Sequence, residues 1–182
     1  MSRKGRLRII AGEARGRLLA VPDGEVRPTS DRAREAIFNA LGSMGALDGV
    51  FVDFFAGSGA LGLEALSRGA AHATFLESDP RALEVLTANV EALGFADRAT
   101  VRRADSMRSA VTLTGDVALC DPPYVFDGWP ALLGELAEAG FEVVVIESDR
   151  EIDPGAGWAT SKQRRYAGTV VTIARRESAA VD

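Results

Sequence analysis

Cysteine is almost missing from this chain: Cys120 is the only one among 182 residues. A single thiol excludes an intrachain disulfide and fits a reducing compartment, so a cytoplasmic protein is expected. Histidine is equally scarce. His72 stands alone in the loop between a helix and a strand with no metal-ligand cluster around it, and neither a metal site nor a catalytic histidine is expected. No apolar run approaches the roughly 18 residues that a membrane span needs. The basic start (Arg3, Lys4, Arg6, Arg8) is followed by too few apolar residues for a signal-peptide core. Internal repeats and low-complexity tracts are missing as well. What remains, 47% hydrophobic and 26% charged, is an ordinary globular composition, long enough for one full domain and a small appendage.

Charge is unevenly placed. Residues 1–34 hold nine basic side chains against four acidic ones, a surplus of five, so the rest of a chain of net charge −5 stands at −10. A basic arm on an acidic body points to a polyanion site.

Leu7–Ile10 and Arg17–Val21 are short β-prone runs joined by a Gly- and Arg-bearing loop, which predicts a hairpin. Pro22-Asp23-Gly24 is a turn signal. Ala33, Ala36, Ile37, Ala40 and Leu41 then recur at helical spacing, with Thr29 or Ser30 as N-cap and Gly42 at the end. Residues 1–42 are therefore expected to form a basic extension and residues 43–182 the main domain. In that domain strands and helices alternate: strands at Val50–Phe55, Ala73–Leu76, Ala99–Arg102, Val117–Cys120 and Phe141–Ile146, and helices at Ala60–Ser67, Pro80–Leu93 and Pro130–Ala139. Asp79 and Pro80 suit a cap and first helical position. This is the pattern of a mostly parallel α/β sheet. Lys162–Tyr166 and Thr169–Ala174 have no helix between them and should close the sheet as an antiparallel hairpin, with Glu177–Asp182 a frayed tail.

Two stretches carry chemistry. After the first strand of the main domain, Gly57, Gly59 and Gly62 fit G-x-G-x-x-G, and Glu77 lies twenty residues after Gly57 at the end of the next strand. Such glycines let a turn pass beneath a ligand, while the acid accepts hydrogen bonds from ribose hydroxyls, so a nucleoside-type cofactor is indicated. Two cofactors fit. A dinucleotide would place its pyrophosphate at the helix N-terminus; S-adenosylmethionine would offer an ammonium to an acid such as Asp53. Asp105, followed by Ser106, is placed either to take an adenine amino group or to cap a helix. The second stretch, Asp121-Pro122-Pro123-Tyr124, ends a buried strand abruptly. It presents an acid, a stiff carbonyl and an aromatic ring together where open α/β sheets bind ligands, a set suited to a planar base held by its amino group.

The glycine motif, Glu77, Asp105 and Asp121–Tyr124 together resemble a class I S-adenosylmethionine-dependent methyltransferase that modifies amino groups. Arg27-Pro28-Thr29-Ser30-Asp31-Arg32-Ala33-Arg34-Glu35-Ala36-Ile37-Phe38-Asn39 and the run from Asp53 to Gly69 are similar to the RsmD family of 16S ribosomal RNA guanine-N2 methyltransferases. The likeness spans Arg8 to Arg175. It implies a Rossmann-like, mostly parallel seven-stranded sheet with an antiparallel C-terminal hairpin. It implies S-adenosyl-L-methionine as cofactor, with Asp53, Ala56, Gly57 and Gly59 at the methionine end, Glu77 at the ribose, and Asp105 with Ser106 at the adenine. Asp121, Pro122, Pro123 and Tyr124 would hold the target guanine of 16S rRNA. The partner would be the small ribosomal subunit, assembling or assembled, met by a monomer. Arg15, Arg17, Arg27, Arg32 and Arg34 are the phosphate candidates of the arm, although Arg34 equally suits a pair on the helix surface. One departure is Tyr166-Ala167-Gly168-Thr169, where the family more often has Tyr-Gly.

Rival readings are an amino-methyltransferase acting on another RNA or DNA base or on glutamine, a dinucleotide-dependent oxidoreductase, and a catalytically idle RNA-binding module. The oxidoreductase offers no account of Asp121–Tyr124.

Overall fold

The computed structural model describes residues 7–22 and 30–177. Seven strands form one sheet in the order β3-β2-β1-β4-β5-β7-β6. They are β1 (Val50–Asp53), β2 (His72–Glu77), β3 (Ala99–Arg103), β4 (Val117–Cys120), β5 (Val143–Ser148), β6 (Trp158–Tyr166) and β7 (Thr169–Arg176). The first five are mutually parallel, and β7 enters antiparallel between β5 and β6. Every residue of β4 and β5 is buried, as strands covered on both faces must be. The strand order reverses between β1 and β4, and that switch point opens a crevice at the carboxyl ends of the strands.

Helices α1 (Asp31–Ser43), α2 (Ala60–Ser67) and α3 (Pro80–Leu93) cover one face, and α4 (Ser106–Ser109) and α5 (Trp129–Glu138) the other. Their ends follow local chemistry. The Ser30 hydroxyl accepts a hydrogen bond from Ala33 N, and Asp79 from Arg81 N with Pro80 at the first helical position. Gly94, at φ 76°, ends α3.

The N-terminal segment is bolted to the helical layer. Ile9 N donates to Arg17 O and Leu19 N to Leu7 O, but only Arg8 and Leu18 form a bridge, so the expected hairpin is shorter than its sequence suggests. Its loop spends its amides on α2 instead: Glu13 N donates to Ser67 O and Ala14 N to the Ser67 hydroxyl. The buried Glu64 carboxylate accepts from Ile10 N, Ala11 N and Arg68 Nε. Leu7, Ile9 and Leu19 join the same apolar core as Phe38, Phe51 and Leu66.

Other boundaries shift for identifiable reasons. The strand expected from Phe141 starts at Val143, because Phe141 N donates to Leu136 O and closes α5. The strand expected from Lys162 starts at Trp158 and is irregular between Thr160 and Lys162. Glu177 is not frayed: its amide donates to Gly157 O. Arg27, Thr29, the Asp23-Gly24 turn, Arg3, Lys4, Arg6 and residues 178–182 lie outside the described residues.

Candidate functional site

A cleft of about 730 Å³ opens at the switch point, and four carboxylates line it: Asp53, Glu77, Asp121 and Glu147. Strand register brings them together. Asp53 on β1 pairs with Phe75 on β2 and Leu119 on β4, so Glu77 and Asp121 each stand two residues further along. Cys120 pairs with Ile146, which sets Glu147 level with Asp121. Three acids therefore form a rank at one level, and Asp53 lies one step deeper.

Asp53 is only 1% exposed. Its Oδ2 accepts from Gly62 N at 3.1 Å, the third amide of α2, while its Oδ1 is buried with no hydrogen-bond partner. Burial, opposed by the Gly62 hydrogen bond, reinforced by Asp121 and Glu77 and opposed least by a weaker contact with the Phe55 amide, raises its pKa from 3.8 to about 7. A buried, half-satisfied acid among other acids is a seat for a cation. Glu77 closes the glycine turn: its Oε2 accepts from Gly57 N at 2.8 Å, and its Oε1 from Ser78 N and Asp79 N. Gly59 adopts φ 84°, and a Cβ there would lie 2.4 Å from Leu86. Gly62 serves packing, since a Cβ would lie 2.3 Å from the Phe75 ring.

These bonds separate the two cofactors that the glycine motif left open. A pyrophosphate needs free amides at a helix N-terminus and a tolerant field. Here Asp53 occupies the Gly62 amide, Glu77 occupies the Gly57 amide, and among the described residues no Lys or Arg lines the cleft. A ligand with cationic groups, such as the ammonium and sulfonium of S-adenosylmethionine, matches the donor set; a dinucleotide does not.

The Asp121–Tyr124 segment forms one wall of the cleft. Pro122 is buried and Asp121 and Tyr124 are half-buried. The Tyr124 and Thr169 hydroxyls are 3.1 Å apart, which ties this loop to the start of β7. Arg150 donates to Tyr124 O at 3.2 Å and to Phe126 O at 3.1 Å, and Phe126 N donates to Pro123 O at 2.8 Å. Phe126 meets Phe55, a lining residue, edge-on at 5.4 Å, and Trp129 at 5.1 Å. Val125, at the tip, is 92% exposed. Trp129 is thus a helix-start packing residue, and Trp158 is buried with its indole donating to Leu133 O. Burial and the neighbouring Asp53 and Asp121 push the Cys120 thiol well up.

The structure brings Asp53, Ala56, Gly57, Glu77, Ser106 and Asp121–Tyr124 to one cleft. Gly59 lies behind it, as the N-cap of α2. Asp105 is exposed and caps α4, accepting from Met107 N at 2.9 Å, whereas the buried Ser106 hydroxyl donates to Phe54 O. On the arm, Arg15, Arg17 and Arg32 are exposed, and Arg17 donates to Ala92 O. Arg34 departs from the expectation of a phosphate contact: it is fully buried, donating to Arg8 O and Asp31. Its position signalled this, because Arg34 shares a helical face with Ile37, Phe38 and Leu41. His72, at the start of β2, meets Thr100 Oγ1 at 2.9 Å, away from the cleft.

Sequence reasoning missed Glu147, Phe55 and Thr169. Glu147 had a signal, an acid at the carboxyl end of an apolar strand, like Asp53, Glu77 and Asp121. Thr169 had none, since only the antiparallel insertion of β7 delivers it.

Comparisons with known proteins agree with this geometry. The family model described as "Conserved hypothetical protein 95" matches residues 7–175. The "Putative rRNA methyltransferase YlbH" of Bacillus subtilis is 39% identical over 160 residues, covering 81% of this chain and 85% of its own. The "Ribosomal RNA small subunit methyltransferase D" of Escherichia coli K12 is 34% identical over 186 aligned residues, covering 97% and 93%. Among solved structures, the "Putative methyltransferase yhhF" of Escherichia coli superposes with a TM-score of 0.83 at 33% identity, covering 95% of this chain and 99% of that one.

Proposed function

Because this chain belongs to the Conserved hypothetical protein 95 (RsmD) family, we propose that it methylates the exocyclic N2 amine of one guanine in 16S ribosomal RNA. It is a methyltransferase, and its cofactor is S-adenosyl-L-methionine. One observation carries the assignment of the site. A base-holding set, Asp121–Tyr124, shares a cleft with a buried, half-satisfied acid suited to a cation.

When bound, the cofactor supplies an electrophilic methyl group on a sulfonium. Asp53 and Glu147 would offer negative charge to its cationic groups, Glu77 would hold the ribose, and Ser106 with Asp105 would hold the adenine. The residues at the other wall act on the base. A guanine N2 amine is a poor nucleophile, since its lone pair is delocalised into the ring. Asp121 and the Pro122 carbonyl accept hydrogen bonds from the two amine hydrogens and draw the nitrogen toward tetrahedral geometry, which localises that lone pair. Positive charge grows on the nitrogen as it is alkylated and is discharged when one of the two held protons leaves, so acceptors fixed there stabilise the transition state more than the ground state. Tyr124, its hydroxyl held by Thr169, gives the flipped base a stacking platform. Holding both reactants in one cleft supplies much of the remaining rate.

Residues 1–42 act as the RNA-binding extension, with Arg15, Arg17, Arg27 and Arg32 on phosphates. The substrate is the RNA within the small ribosomal subunit, met by a cytoplasmic monomer. Among the described residues no helix is long and apolar enough to cross a membrane. The test is transfer of label from S-adenosylmethionine to naked small-subunit RNA, assembled subunits or DNA. Label on a guanine N2 of small-subunit RNA supports the reading. Transfer to DNA alone, or tight NADH binding without transfer, overturns it.

A further inference from the structure

The chain has a second basic island that its N-terminal charge conceals. Residues 158–176 hold Lys162, Arg164, Arg165, Arg175 and Arg176 and no acid, on a body that is otherwise acidic. Three of these lie on β6, the outermost strand of the sheet. Arg164 and Arg165 are exposed and Lys162 is half-buried. Among the described residues no ion pair engages any of the three. Arg164 lies over the Tyr166 ring at 5.8 Å, and Arg165 donates to Asp149 O at 3.2 Å.

This strand leads straight from the cleft. Tyr166 pairs with Thr169, whose hydroxyl meets that of Tyr124. Asp149, which Arg165 touches, adjoins Arg150, whose guanidinium holds the Tyr124 and Phe126 carbonyls. From Tyr166 back to Lys162 the strand covers about 13 Å at roughly 3.3 Å per residue, with Lys162 and Arg164 on one face, Arg165 on the other and Gln163 between them, along one edge of the sheet. Basic residues on an edge strand also discourage strand-to-strand aggregation. Lysine is the usual choice for that role, whereas two of these three are arginines, whose forked guanidinium suits phosphate.

We propose that β6 is a second RNA-docking strand, on which Lys162, Arg164 and Arg165 hold the phosphates of the RNA that flanks the base in the cleft. This rests on the RNA methyltransferase reading. It divides the work of binding: the N-terminal arm lies against the α2 side of the sheet, and β6 forms the opposite edge, beyond β5 and β7.

The experiment compares wild type with Lys162→Glu/Arg164→Glu/Arg165→Glu and with Lys162→Glu/Arg164→Glu, which spares the Arg165 contact. Fluorescence anisotropy measures binding to a small-subunit RNA fragment across a salt series, and label transfer measures KM and kcat. Glutamates still charge the edge but repel phosphate. The triple variant should raise KM for RNA at least tenfold, leave cofactor affinity and melting temperature near wild type, and lower the slope of log K against log salt by about two to three, at ~0.7–0.9 per phosphate contact. The double variant should fall between. Unchanged RNA affinity and salt slope in both variants, with wild type active, overturns the docking strand alone. Wild type that binds RNA through these residues yet transfers no methyl group overturns the functional reading and leaves the strand standing. Wild type that binds no RNA overturns both.

Discussion

Arg150 donates a hydrogen bond to the main-chain carbonyl of Tyr124, 26 residues earlier in the chain, at 3.2 Å. A second bond from the same guanidinium reaches Phe126 O, so one side chain fixes both sides of the Val125 tip. The Asp121–Tyr124 loop thereby owes its shape to the turn after β5 as much as to its prolines.

Arg150→Ala should therefore act as a positioning change. Two hydrogen bonds are worth about 1–3 kcal/mol together, so kcat should fall about tenfold or more while cofactor affinity stays within twofold. Arg150→Lys, which lacks the forked geometry, should restore only part. A kcat equal to wild type in the alanine variant would show that the prolines and Thr169 suffice.

Asp121 should rank acceptors by charge. Asp121→Asn keeps a carbonyl oxygen but no charge, and Asp121→Ala keeps neither. Turnover should fall in the order Asp, Asn, Ala, with a loss of about 10²–10³-fold for Ala and little change in cofactor affinity measured by calorimetry. Normal methylation by Asp121→Ala would refute the site.

Asp53 gives the pH dependence. Its carboxyl titrates near 7 because burial favours the neutral form. Below that pH it is protonated and offers no charge to a cationic ligand; above it the carboxylate is present. Cofactor affinity should therefore rise with pH, by up to about tenfold per unit below 7, and flatten above it, with a proton released on binding. The same shift means that the ligand-free fold loses stability as pH rises toward 7. Asp53→Asn should bind weakly at every pH and lose both dependences in titrations run from pH 5.5 to 8.5.

Ala167 is the one non-glycine described residue with positive φ, at 54°. Left-handed backbone costs an alanine roughly 1–2 kcal/mol, and glycine returns about 0.5–1 of that through the unfolded state. Ala167→Gly should raise the melting temperature by about 1–3 °C with transfer activity retained. A lower melting temperature would mean that the alanine methyl packs.

Much of this was readable beforehand because the signals were local. Asp79-Pro80 opens α3, and the buried runs of β4 and β5 announce central strands. What could not be read depends on partners far along the chain. Thr169 reaches the cleft only because β7 enters antiparallel beside β5. The polar strand β6 carries too little apolar alternation to reveal its length. Composition alone marks residues 1–42 as a separate basic extension. With Leu7, Ile9 and Leu19 in the core and Glu64 holding its amides, deletion would strip the fold, so charge reversal at Arg15 and Arg17 is the cleaner test.

One buried amide spans both halves of the reaction. Asn89 accepts from Ala20 N and donates to Ala20 O at the end of the arm, and it donates to Ser58 O in the glycine turn. The N-terminal segment and the glycine turn thus share a fastening, so with RNA on that segment as proposed, a ligand that stiffens one end should lower the cost of ordering the other. Thermodynamic reciprocity then requires a single coupling factor: whatever RNA does to cofactor affinity, the cofactor must do to RNA affinity. Titrations of each ligand with and without the other should give equal ratios above one in wild type, and a ratio near one in Asn89→Ala.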